Sequence, residues 1–109
     1  MATTYKVLGQ VNPSATTATT AYTVPSATEA VISTIAVVNG GAYPSTYRIA
    51  IRPNGETLAT KHYIAYDATI APQDTVTLTL GITLDAADVV TVYAQHGSMI
   101  FNIFGSEIA

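Results

Sequence analysis

Thr75-Val76-Thr77-Leu78-Thr79-Leu80 alternates a hydroxyl residue with an aliphatic one at every step. Period two is the spacing of side chains on the two faces of a β-strand. It predicts a half-buried strand with Val76, Leu78 and Leu80 inward and Thr75, Thr77 and Thr79 outward. The same reading extends upstream. Thr46–Arg52 alternates Tyr47, Ile49 and Ile51 with Arg48, Ala50 and Arg52. Ala30–Asn39 is the strongest central strand, with Val31, Ile35 and Val37 on one face and Ile32, Ala36 and Val38 on the other. Apolar character on both faces predicts burial on both. Further strands are predicted at 4–11, 21–24, 60–67, 89–95 and 99–104. Turn chemistry separates them: Asn39-Gly40-Gly41 offers left-handed positions, Pro53-Asn54-Gly55 reads as a hairpin turn, and Pro72-Gln73-Asp74 and Asp85-Ala-Ala-Asp88 turn the chain again. Helical periodicity never lasts beyond one turn. About eight strands at this spacing predict an all-β, single-domain antiparallel sandwich of jelly-roll type.

Residues 12–20 (Asn-Pro-Ser-Ala-Thr-Thr-Ala-Thr-Thr) are small and low in complexity. They read as a loop or an extended arm. The organisation expected is an extended N-terminal strand or arm over 1–20 and a sandwich over 21–109.

Composition narrows the function. Of the 109 residues 49% are apolar but only 10% charged, against about 25% in an ordinary globular domain. Charged side chains keep strand edges and faces from associating. Here Thr, Ser and Ala take the outward positions, so the surface tolerates water without repelling another protein. Lys6, Arg48, Arg52 and Lys61 are the four cations, and the net charge is −3. Four scattered cations do not form the basic stripe that nucleic acid requires. There is no cysteine, hence no disulfide and no thiolate metal site. The first residues lack the apolar core of a secretory signal, and Val7–Thr28 is broken by Pro13 and Pro25, so neither export nor a membrane helix is expected. Synthesis in a bacterial cytoplasm is the expectation.

No catalytic constellation emerges, and no enzyme, metal or cofactor is expected. His62 reads as an ordinary half-exposed strand residue, since acid–base work needs a second placed group and a pocket. His96, before Gly97, suits a turn or an interface. Asp85 and Asp88 suit turn capping better than calcium, which needs more oxygens and a central glycine. The Thr75/Thr77/Thr79 ladder lacks the stacked repeats of an ice-binding face. No serine sits in a G-x-S-x-G elbow, Gly40-Gly41 is no phosphate loop, and Pro13 spoils glycosylation at Asn12. Seven tyrosines and no tryptophan leave three uses open: core packing, a protein interface, or sugar binding through exposed rings.

Three stretches together resemble a known group. Tyr22-Thr-Val-Pro25 with Glu29–Asn39, then Tyr47–Ile51 with Leu58–Asp67, then Thr75–Leu80 with Leu84–Ala94 and Phe101-Asn-Ile-Phe-Gly105, resemble the small β-sandwich virion proteins of tailed bacteriophages, cyanophage types especially. The resemblance spans roughly residues 20–107. It implies a non-enzymatic structural protein, expected to be a capsid decoration (cement) protein of the virion. The partners it implies are a homo-oligomer, with a trimer favoured, and the major capsid protein or another virion protein. Related modules occur in tails and baseplates, so a tail, neck or baseplate accessory that grips a host-surface glycan is the alternative. The expected absence of a stalk or second receptor domain suits a decoration protein better than a fibre.

Eight of the eleven charged residues fall between Arg48 and Asp88. The ends of the chain are therefore the expected assembly surfaces, with Tyr5, Val7, Leu8, Val11, Tyr22, Tyr43, Ile100 and Phe104 as candidate interface residues.

Overall fold

The period-two segments pair into two antiparallel sheets packed face to face. The computed structural model describes residues 2–109. Its nine strands are β1 (Thr3–Val11), β2 (Thr19–Thr23), β3 (Glu29–Asn39), β4 (Ser45–Arg52), β5 (Tyr63–Ile70), β6 (Asp74–Leu78), β7 (Ile82–Leu84), β8 (Val89–Ala94) and β9 (Met99–Ile108). Sheet A runs β1-β9-β3-β6, with β7 also paired to β3; sheet B runs β2-β8-β4-β5. Pairing is nested: β1 with β9, β2 with β8, β3 with β6 and β7, β4 with β5. The contacts of β9 with β3 and β8 with β4 complete the winding. This is the strand order of a jelly roll, which winds one long hairpin into two sheets.

The core lies between the sheets. Ile35, Val37, Met99, Phe101 and Ile103 come from sheet A, and Ile49, Val90, Val92 and Ala94 from sheet B. Tyr47 and Phe101 meet edge to face across the interior, ring centroids 6.2 Å apart, a geometry favoured by the ring quadrupoles. Asn39 is fully buried among them. Its Nδ2 donates to the carbonyls of Tyr43, Ile70 and Ala71, and its Oδ1 accepts from the Gly41 amide and the Ser98 hydroxyl. One side chain thus ties the ends of β3, β5 and the β8–β9 connection, and a buried amide so placed leaves no polar atom unsatisfied.

Several expectations change for physical reasons. The strand expected at 4–11 forms as residues 3–11 and belongs to the sandwich rather than to a separate arm. It zips to β9 along its length, and Leu8 and Val11 turn inward against the core. Residues 12–18 are tied back through Asn12 Nδ2 to the Gly97 carbonyl and the Thr16 amide to the Ala94 carbonyl. Tyr22 is core, 8% exposed, its hydroxyl donating to Glu107. Gly40 and Gly41 do not take left-handed angles. Asn54 and Gly55 do, but the chain then runs through a loop and a single helical turn, Thr60–His62, before β5 starts. His62 is buried, not half-exposed: Nδ1 accepts from the Ala59 amide, so Nε2 carries the proton that it shares with Glu56. Leu80 lies beyond the end of β6 and is exposed. The outer face of β3 is half-covered rather than buried.

Sheet A contains a close approach at Gly105. A Cβ there would lie 2.0 Å from the Val31 carbonyl oxygen and 3.0 Å from Ile32 Cα. Both neighbours are backbone and cannot swing aside. Gly105→Ala is expected to cost about 3 kcal/mol, seen as a Tm lowered by roughly 10 °C or more. Gly97→Ala, with nothing nearer than 4.0 Å, is expected to leave Tm nearly unchanged.

Glu107 accepts from Tyr22 and, next in weight, from Lys6, and these hold its carboxyl below the ordinary range. A depressed carboxyl contributes stability that is full above its unfolded pKa and is lost as pH falls toward the folded value. Glu107→Gln is expected to be less stable than the parent near about pH 7 and to converge on it below about pH 3. Denaturant midpoints at the two pH values check this; an equal gap at both would contradict it.

Candidate functional site

The two outer faces of the sandwich differ in chemistry. On sheet A the register places Val7 of β1 beside Phe104 of β9, Tyr5 beside Ser106, and Val31 of β3 on the far side of Ser106. Ile100 pairs with Val38. Tyr5 is 84% exposed, Val7 46%, Ile100 38% and Phe104 37%. Thr75 and Thr77 of β6 extend the face across Val38 and Ala36. Glu29, at one end of β3, is the charged residue among these outward positions; Lys6 stands at the rim with its ammonium 3.1 Å from Glu107. Tyr5, Val7, Val31, Ser33 and Phe104 border a shallow open depression. The result is a broad, nearly uncharged face with large apolar side chains at its middle.

Two inserted residues build that face. The β1–β9 register skips Leu8, and the β3–β9 register skips Ser33. A bulge adds one residue and reverses the in–out parity beyond it. Leu8 and Val11, three apart, can therefore both turn toward the core while Val7 stays outside. Ile32 and Ile35, three apart, both point inward, leaving Val31 outside. The Ser33 hydroxyl donates to the Phe104 carbonyl at 3.1 Å and pins the bulge.

Sheet B and its loops carry most of the charge. Arg48 lies between the rings of Tyr66 (4.3 Å) and Tyr93 (4.4 Å), and its Nε and Nη2 donate to the two Asp67 oxygens at 2.6 and 3.2 Å. Arg48 draws the Asp67 carboxyl below its ordinary range. Glu56 meets Lys61 at 3.6 Å and His62 at 3.1 Å. Asp85 and Asp88 cap backbone amides: Asp88 accepts from Asn54 and Asp85, and Asp85 from Ala86. His96 Nδ1 lies 2.9 Å from Ser45 Oγ, but Ser45 is 1% exposed, so this pair fastens β4 to the β8–β9 turn.

Of the eight candidate interface residues, Tyr5, Val7, Ile100 and Phe104 share the outer face of sheet A. Tyr43 is exposed but belongs to the β3–β4 turn, beside His96 and Ser98. Leu8 and Val11 are partly buried and pack inward against the core, and Tyr22 is itself core, so these three lie off the outer face of sheet A. Sequence reasoning missed the group around Arg48. The Tyr63-x-x-Tyr66-Asp67 spacing was its one signal, and a bulge in β5 hides it from period-two reading. No family model, curated protein or solved structure matches this chain.

Proposed function

We propose that this chain is a non-enzymatic structural module that associates with copies of itself through the outer face of sheet A. We place it in the virion of a tailed bacteriophage, as a capsid decoration protein that bridges capsid subunits. The nearly uncharged face bearing Tyr5, Val7, Ile100 and Phe104 carries the reading. Aromatic and aliphatic side chains in a field of Thr, Ser and Ala are the composition of a buried interface core, and a face without like charges has nothing to repel its own copy. The molecule measures 45 × 27 × 20 Å, so a broad face is large enough for the roughly 800 Å² per partner of a stable contact. The virion setting is supported by the sequence resemblance and by the use of jelly rolls in capsids, an analogy of fold. The same fold serves lectins, and the Arg48 group on sheet B favours the glycan-binding alternative as a second property.

Deleting β1 would open sheet A, so point changes on the face are the sharper test. Phe104→Lys and Val7→Lys are each expected to weaken self-association about 30-fold or more, with Tm nearly unchanged. Light scattering over a concentration series reads the first and also reports whether the assembly is a trimer. Heads stripped of decoration should bind the parent and not Phe104→Lys. A parent that stays monomeric at every concentration and leaves stripped heads bare would refute the reading.

A further inference from the structure

The Arg48 group is built more elaborately than packing requires. Pairing of β5 with β4 passes from Ala68 opposite Tyr47 to Ala65 opposite Ile49. Both Tyr66 and Asp67 therefore stand against Arg48. Asp67 has φ +50°, and it alone among the six non-glycine residues with positive φ lies inside a strand. Such a conformation costs energy, persists only where its surroundings enforce it, and concentrates at ligand clamps. Here the bulge aims a carboxylate at a guanidinium already fixed between two rings.

Beside this pair lies a shallow depression lined by Thr16, Thr46, Arg48, Asp67, Tyr93 and Gln95. Thr46 Oγ1 donates to Gln95 Oε1 at 3.3 Å, which directs the Gln95 amide nitrogen away from Thr46 as a donor. Asp67 supplies acceptor oxygens with spare lone pairs. Tyr93, in its lining, is partly exposed. Arg48 and Asp67 cancel in charge, so the site offers an anion no net attraction. A purely apolar ligand would strip water from the ion pair without replacing its hydrogen bonds. The matching ligand is uncharged, donates and accepts at adjacent atoms, and has an apolar C–H face.

We propose that this depression binds a neutral saccharide, with neighbouring hydroxyls bridging Asp67 and Gln95 and the C–H face of the pyranose against the exposed part of the Tyr93 ring. The site lies on the side of the sandwich opposite the sheet A face, so the proposal stands or falls independently of self-association.

The test is titration of the ¹⁵N-labelled full chain, followed by amide spectra. One arm uses methyl glycosides of glucose, galactose, mannose and N-acetylglucosamine, which represent a free or terminal sugar. A second uses soluble dextran, which represents an internal unit of a chain. A third uses inorganic phosphate. The expected result is saturable shifts at Thr46, Arg48, Asp67 and Gln95 in the first or second arm. Affinity should fall about tenfold in Tyr93→Ala and in Gln95→Ala, the second an exposed position, and stay unchanged in Phe104→Lys. No saturable shift with any sugar would overturn the proposal. So would undiminished binding by both site variants, or tighter binding of phosphate than of every sugar.

Discussion

The outer face of sheet A depends on two residues inserted opposite β9 on either side of Phe104. A regular strand shows each residue to one side only, so a strand that fills the core has its alternate positions fixed as surface. Leu8 in β1 and Ser33 in β3 interrupt that rule from both flanks of β9. The core keeps Leu8, Val11, Ile32 and Ile35, while Val7 and Val31 emerge on the outside next to Phe104. The absence of a side chain at Gly105 is what lets β3 approach at the bulge, since a Cβ would meet the Val31 carbonyl at 2.0 Å. A stable interior and a large apolar exterior patch thus come from one local irregularity, and neither could be altered there without disturbing the other.

Alternation made the architecture legible. The jelly roll, the strands from Thr46, Thr75 and Met99, and the inward Tyr47 and Ile49 follow from period two and from turn residues. What alternation hid was every place where parity changes. Val31 reads as a partner of Ile35 until Ser33 is known to be extra. Tyr66 and Asp67 read as opposite faces of one strand until the β5 bulge brings both to Arg48. Ile82-Thr-Leu84 is too short to show a period, so β7 was missed as a strand. Tyr22 and His62 illustrate a different blindness. Each is a polar-tipped ring whose burial depends on an acceptor outside its own element, Glu107 across the molecule for one and Glu56 in the irregular loop just before it for the other. Neither a partner across the molecule nor one in an irregular loop leaves a period-two pattern.

Scarce charge also acquires a location. Exposed ion pairs contribute little to stability individually, so the pairs Arg48–Asp67 and Lys61–Glu56 are poor candidates for holding the fold together. The core and the Asn39 network do that. Position is what distinguishes the charges: they gather on sheet B and the loops that follow β4 and β7, while the outward positions of sheet A remain almost free of them. A domain that needed only solubility would spread charge over both faces.

That division has a geometric consequence. The sandwich is 20 Å through its shortest dimension, about two sheets and their side chains. A contact made by the sheet A face leaves sheet B directed away from the partner, fully open to solvent. Bulges on the two sheets serve opposite ends: those in β1 and β3 raise apolar side chains on one face, and the bulge in β5 gathers a polar, aromatic group on the other. Because the shared core separates them, each face can change its side chains without altering the other's packing. Two chemically distinct faces can then coexist on a single sandwich, each independent of the other's side chains.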